Sequence, residues 1–568
     1  MIRPADAAVL VATLAAFVGY GLWRARATRD LSGFLVAGRS MPWPMVALSI
    51  MATQASAVTF MATPGQGYVA GLSFVQFYFG LPIAMVVLCA TLVPLYQRMR
   101  VTTAYEFLER RFDGKTRTLA AALFLVQRGL AAGITLYAPA LVLAVILGWD
   151  VGTTCALLGA LVVGTIVLGG SKAVAHAHAL QFVIIMGTMV LAFVLVLRSL
   201  PGGIGLGDAL AVAGSAGRMR ALDPSFDPAS RYNIWAGLLG GFFLQMSYFG
   251  TDQSQVGRIL TASSSRESKL GLLFNGLLKV PMQFGILLLG VLVFVAYQFE
   301  PTPVFFDRAE AAQAAAGPHA AEWRGAEQDW TAARADLAAS LVAEQSALRA
   351  RDATAAEIAH ANVLAADVAA NSARTRAIGV IKATDASANT NDTNHIFLTY
   401  VLSHLPVGVV GLVLAAIFGA AMNSIMSELN SLASTTVVDV VNRLPWRLDD
   451  GALLNWSRGA TLFWTVFAVG FAQFAGRLGS LVEAVNVVGS IFYGTILGIF
   501  ATGFLVQRAG GTAVFVAAVV GEAAVIACWL LTPLSFLWWN VVGCVLTVAV
   551  AALLARLGVD KHVKMAEA

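Results

Sequence analysis

Charge is what this chain has least of. Asp, Glu, Lys and Arg make up 12% of 568 residues, against roughly 25% in a soluble domain. That deficit excludes an ordinary water-soluble fold. Cysteine is scarce as well: Cys89, Cys155, Cys528 and Cys544 all fall in apolar runs without metal-site spacing, so they read as small core residues. No nucleophile triad, phosphate loop or metal cluster stands out, and His176 and His178 lie at i and i+2, which do not share a helix face. An enzyme is therefore not the expected class, and no organic cofactor is implied. The net charge of +5 needs no nucleic-acid partner to explain it.

What is abundant is hydrophobic length. Apolar residues make up 58% of the chain, and a membrane-spanning helix needs about 20 of them in a row. About thirteen such stretches can be placed, centred near Leu14, Ser56, Met85, Gly133, Leu161, Ile185, Tyr248, Leu287, Ile417, Val466, Ile491, Val519 and Val545. The expected fold is an all-α polytopic membrane protein in a lipid bilayer. The first stretch lacks a basic leader and a small-residue cleavage site, so it reads as a retained span. Odd-numbered spans exit into basic loops: Arg26, Arg29 and Arg39, then Arg98, Arg100 and Arg110, then Arg258, Arg266 and Lys269. The positive-inside rule then puts the N-terminus outside and the C-terminus in the cytoplasm, in a plasma membrane of the bacterial inner-membrane kind.

Two spans are interrupted where they should be most apolar. Ala52-Thr53-Gln54-Ala55-Ser56-Ala57 interrupts Met45 to Gly71, and Gln245 to Gln253 interrupts Trp235 to Arg258. Backbone at that depth leaves its helical bonds only where protein or a wet cavity satisfies it, so such breaks mark ion and solute sites. One long stretch differs in kind. From Pro301 to Thr393 the chain is polar and alanine-rich, and Trp323, Trp330, Leu337, Leu341 and Leu348 step by 7, 7, 4 and 7. That a/d spacing predicts an extramembrane helical hairpin, on the outer side by the orientation above. It reads as an insertion dispensable for the transport cycle, or as a docking element or lid that offers an extracytoplasmic contact.

Helix rise gives depth. Tyr248 is ten residues from Arg258 and Lys279 ten from Lys269, which puts both about 15 Å from the cytoplasmic edge, with Ser56 about 18 Å past Pro44 in the same layer. A lysine there is a functional candidate by default, the alternative being a structural pair with Asp252. Asp252 is shallower, about 9 Å from Arg258, and suits an inner gate. In the ninth span Ala420, Asn423 and Ser424 share one face. Their small size and oxygens suit close helix packing or a hard cation.

Several segments resemble the sodium/solute symporter family: Phe34 to Met41, Thr103 to Phe112, Gly169 to Val174, Asp252 to Arg258, and Ser427 to Leu432. The resemblance implies the leucine-transporter-like fold of two inverted five-helix repeats. Residues 1–40 would then be an extra span and its loop, 41–200 the first repeat, and 201–300 with 395–507 the second. Residues 301–394 would be the insertion, and 508–568 accessory spans and tail. It also implies a sodium ion held by carbonyls of Ala52 and Ala55 and by Ala420, Asn423 and Ser424, with Asn423 standing where hydroxyl residues are usual. A second sodium site looks weaker, since its positions carry His178 and Met426 with only Ser427 matching. Tyr248, Lys279 and Gln245 match solute-site positions, while Thr59 and Tyr78 replace sugar-binding residues. The function implied is sodium-coupled import of a small solute, a sugar, polyol or small carboxylate. A transporter-shaped sensor acting through a partner protein is the alternative.

Overall fold

The computed structural model describes residues 3–25, 37–201, 204–445, 449–478 and 480–560. Arg26, Arg29, Phe34 to Val36 and the tail from 561 lie outside the described residues, as do the side chains of 164–177, which include the block Gly169 to Val174. Among the described residues the chain is helical, and the extended pairing consists of one isolated bridge, Met41 to Ala262.

The first span is α1 (Pro4–Ala25). The second is cut into α2 (Trp43–Gln54) and α3 (Ala57–Ala70). A 3-10 stretch leads to α4 (Leu81–Ala90), α5 (Leu92–Met99) and α6 (Glu106–Arg111). Next come α7 (Gly114–Leu147) and α8 (Val151–Ser199), each N-capped by an aspartate: Asp113 accepts from Thr116 N–H and Asp150 from Thr153 N–H, both at 2.8 Å. After α9 (Leu206–Ser215), the seventh span is divided into α10 (Gly241–Gly250) and α11 (Gln253–Ile259), followed by α12 (Ser265–Gln298). The insertion supplies α13 (Arg308–Ala316), α14 (Ala320–Ala350) and α15 (Ala353–Thr384), and α16 (Thr393–His404) follows it. The remainder is α17 (Val409–Thr435), α18 (Asp450–Ala475), α19 (Leu481–Leu505), α20 (Gly511–Leu531) and α21 (Phe536–Arg556).

Each of the thirteen expected centres falls in one of these helices or, for Ser56, at the break between α2 and α3. Among the described residues eight helical runs are long and apolar enough to cross a membrane, and three shorter apolar helices accompany them. Two of the expected spans, α1 and α18, fall outside the eight. The interrupted spans are cut into pieces of 12 and 14 residues in one case and 10 and 7 in the other, below the length a crossing needs. The spans expected near Leu161 and Ile185 both lie within α8, whose described parts supply one of the shorter apolar helices, Val151–Val163, and one of the eight, His178–Ser199.

The insertion is a helical hairpin that turns at Arg351, in a left-handed conformation, with Asp352 capping α15 through Ala355 N–H at 3.0 Å. Trp323, Trp330, Leu337 and Leu341 are buried, but Leu348 is 49% exposed. The expected seam thus ends a turn early, because α14 stops at Ala350 and the turn leaves Leu348 nothing to pack on. The hairpin is fastened to the helices beneath it. Arg334 donates to Gln298 Oε1 at 2.7 Å and to the Tyr297 carbonyl, and Arg374 donates to Val304 O at 2.7 Å and pairs with Asp392. Arg349 pairs with Asp208 at the start of α9 at 2.9 Å. The Gly205 N–H and then Arg349 hold that carboxylate below its ordinary pKa. Under the hairpin, α3 meets its neighbours backbone to backbone: a Cβ on Gly65, Gly67 or Gly290 would overlap the carbonyls of Thr393, Leu287 and Pro64 respectively.

Candidate solute and cation site

The first break is local chemistry. Thr53 Oγ1 bonds back to Ser49 O at 2.9 Å, Ala55 N–H closes on Met51 O at 2.8 Å, and Ser56 is extended at φ −75°, ψ 170°. The last four carbonyls of a helix lack an in-helix donor, here those of Ala52, Thr53, Gln54 and Ala55. Thr53 O accepts the Ser424 hydroxyl at 3.2 Å and Gln54 O accepts the Thr59 hydroxyl at 3.2 Å. No donor reaches the carbonyls of Ala52 and Ala55 among the described residues. Facing this end, Ala420, Asn423 and Ser424 are buried on α17, and both amide atoms of Asn423 are buried without a partner. Two open carbonyls, an orphaned amide oxygen and a hydroxyl make an all-oxygen donor set suited to a hard monovalent cation.

Beside the break lies a cavity of about 100 Å³, about three water molecules' share of liquid volume. Ser56, Thr59, Tyr78, Gln245, Tyr248 and Lys279 all line it, with Ser424 at its edge. Tyr78 OH accepts from Gln283 Nε2 at 2.6 Å, and Tyr248 OH from Gln255 Nε2 at 2.7 Å. The Lys279 ammonium sits 5.5 Å from the Tyr78 ring centre, a cation–π distance. Among the described residues it pairs with no carboxylate. The structural pair with Asp252 considered for it does not form.

Asp252 is engaged elsewhere. It caps α11 through Ser254 N–H at 2.8 Å, and its other oxygen bonds Arg128 of α7 and accepts the Tyr493 hydroxyl at 2.9 Å. Arg128 also donates to Glu428 at 3.1 Å and to Tyr493 OH at 2.7 Å, and lies 5.6 Å from the Tyr248 ring centre. This buried network floors the cavity and ties α7, α11, α17 and α19 together. Arg128, Glu428 and Tyr493 escaped the sequence reading. Arg128 carried a usable signal, a lone cation deep in a 34-residue apolar helix.

The model of the sodium:solute symporter family matches residues 34–319. The chain belongs to the sodium:solute symporter family. Its members are transporters and not enzymes. The chain is similar to the bovine (Bos taurus) sodium-coupled monocarboxylate transporter 2, 27% identical over 476 residues that cover 83% of this chain and 63% of that protein. It is also similar to the human (Homo sapiens) sodium-coupled monocarboxylate transporter 1, at 25% with 86% and 67% covered, and to the human sodium/iodide cotransporter, at 30% with 51% and 45% covered. The chain thus spans about 63% of the length of the first of these relatives. Among solved structures, the substrate-bound outward-open state of a Na+-coupled sialic acid symporter matches over 98% of both chains, with a TM-score of 0.75 and 20% identity. That likeness is one of fold.

Two residues at the positions expected for a weaker second sodium site have other partners. Arg258 donates to Ser427 Oγ at 3.0 and 3.3 Å, which brings a guanidinium to the one matching hydroxyl. His178 stands where an acid would serve, with its Nδ1 3.4 Å from Ser49 Oγ. At the opposite end of the cavity, Glu483 on α19 gathers Gln66 Nε2 at 3.2 Å, Arg231 at 2.6 Å and the Tyr232 hydroxyl. The cavity thus lies between two polar networks, both of which include α19.

Proposed function

We propose that this protein is a sodium-coupled symporter that imports a small monocarboxylate, with one sodium ion per cycle. The observation that carries the substrate class is the Lys279 ammonium, lining a small cavity without a protein carboxylate to neutralise it. A cation at bilayer depth is stabilised by an anionic partner, and a single carboxylate on a few heavy atoms meets both the charge and the volume. Tyr248 and Gln245 would fix the solute's far end, with Ser56, Thr59 and Tyr78 at its sides. Sodium would bind through the Ala52 and Ala55 carbonyls, Ala420, Asn423 and Ser424. The altered second position, with Arg258 on Ser427, supports one sodium and not two.

Alternating access follows from the two networks. Opening the Arg128 and Asp252 side would release solute toward the cytoplasm, and opening the Glu483 side would admit it from outside. That orientation keeps the N-terminus outside in the plasma membrane, as the basic exits of the odd spans require. Two inverted repeats, α2 to α8 and α10 to α19 without the insertion, would supply the moving parts.

Charge makes the reading testable. One sodium with one monocarboxylate carries no net charge, so a membrane potential does no work on the step, whereas a neutral solute with sodium would gain about 2.3 kcal/mol per 100 mV. Labelled short-chain monocarboxylates and sugars are offered to proteoliposomes under a sodium gradient, with and without an imposed potential. Sodium-dependent monocarboxylate uptake indifferent to potential is expected, with Lys279→Ala losing uptake and Lys279→Arg failing to restore it, since a planar guanidinium does not replace a compact ammonium. Uptake that runs equally well in choline buffer, or that prefers neutral sugars, sinks the reading.

A further inference from the structure

Glu522 has no part in the cavity, the break or the two networks. It stands eleven residues into α20, about 17 Å from the start of the helix by its rise, at midplane depth. Both of its carboxylate oxygens are buried and accept no hydrogen bond in good geometry. Thr495 of α19 faces it. Beside it, Gly521 lets α21 come so close that an added Cβ would overlap the Thr547 hydroxyl. Thr495 and Thr547 are fully buried, and their hydroxyls are also unpartnered. Three helices therefore bring four buried oxygens to one junction, where the Thr495 hydroxyl is the group placed to meet the carboxylate among the described residues.

An ionised carboxylate at this depth is costly unless a positive charge meets it. Among the described residues the surrounding helices do not supply one. On α19, Glu483 lies in the first turn with Arg231, and the Tyr493 hydroxyl is turned to Arg128 and Asp252. On α21, Arg556 is in the last turn, and Cys544, a turn from Thr547, is a buried neutral thiol. From α7, Asp113 meets α20 at Gly511, the far end. The neutralising charge has to come from solution.

We propose that Glu522, Thr495 and Thr547 form a second cation site, loaded by Na+ or H+, which is bound but not carried with solute. All its donors are oxygens, the preference of a small hard cation. Thr495 is two residues from Tyr493, so the site lies on the back of the helix whose front closes the cavity floor. Loading it neutralises the carboxylate between α19 and its supports, and so sets how firmly α19 is held while Tyr493 engages Arg128 and Asp252.

The test needs no solute, so it stands apart from the transport reading. Thermal unfolding of purified full-length protein is followed over sodium concentration, with choline as replacement, and over pH without sodium. The background is Ser424→Ala, which weakens the site at the first break. A cation that binds only the folded state raises Tm with its concentration. Sodium-dependent stabilisation that persists in Ser424→Ala and disappears in Ser424→Ala/Glu522→Gln supports a sodium-loaded site. Acid-dependent stabilisation that disappears in the same double variant supports a proton-loaded one. Sodium and pH dependence unchanged by Glu522→Gln, or absent from Ser424→Ala itself, overturns the proposal. If Glu522→Gln does not fold, Ser424→Ala/Thr547→Val keeps the carboxylate and removes one oxygen; its half-saturating sodium or proton concentration should rise about tenfold, and no shift overturns the proposal.

Discussion

The chain breaks two helices at membrane depth and surrounds the two breaks with different groups. At the second break tyrosines take two of the freed carbonyls, Tyr96 OH donating to Gly250 O at 2.6 Å and Tyr105 OH to Thr251 O at 3.0 Å, and Asp252, bound to Arg128, caps the next helix. At the first break Thr53 and Gln54 are filled by hydroxyls, while Ala52 and Ala55 stay open opposite an orphaned Asn423. A break closed by protein groups holds helices together. A break with vacant oxygens has free energy of binding to offer an ion. Irregular backbone is thus told apart by what surrounds it, a charged network at one break and small oxygen-bearing residues at the other.

The comparison is broken most severely at Arg128. Arg128→Ala would leave Asp252 and Glu428 buried without their cation, and stripping one partner from a buried pair costs about 3–5 kcal/mol. A lower unfolding temperature in detergent together with loss of uptake is expected. Stability equal to wild type would mean that the network closes the cavity without holding the helices.

Ser424→Ala should act on the other break and in the other currency. Removing one oxygen of about five from a hard cation is expected to raise the sodium concentration for half-maximal uptake about tenfold, as a lost charge-assisted contact does, with Tm in choline unchanged. If stability falls and sodium dependence does not, the Ser424 to Thr53 bond is a helix-packing device. Thr59→Val is the smallest change, since it removes the donor to Gln54 O and keeps a side chain of similar shape beside the cavity. A several-fold loss of apparent sodium affinity is expected, on the order of one neutral hydrogen bond; none would mean that the first break is held by α17 alone.

The contrast also shows what was legible beforehand. Both breaks, and the common depth of Tyr248, Lys279 and Ser56, could be read because helix rise and apolar length are properties of one segment. Arg128, Glu428 and Tyr493 could not be assembled, since they lie on α7, α17 and α19 and meet only through packing. Leu348 was placed in the hairpin seam because heptad spacing carries no mark of where a helix ends. The hairpin read as separable because its composition differs from its surroundings. Yet Arg334 reaches the last turn of α12, and Leu337 and Leu341 join the main core.

The glycines of α3 and α12 carry a mechanical consequence. With Gly65 against Thr393 and both Gly67 and Gly290 in backbone contact across α3 and α12, there is no side-chain layer between these helices to shear. The three helices α3, α12 and α16 have to swing as one plate. The hairpin is rooted on that plate at Gln298 and Asp392, and its 31-residue helix α14 is about 46 Å long. Its far end is tied as well, through Arg349 to Asp208 and Glu344 to Ser215 of α9, so the hairpin is a strut that bridges this plate to α9.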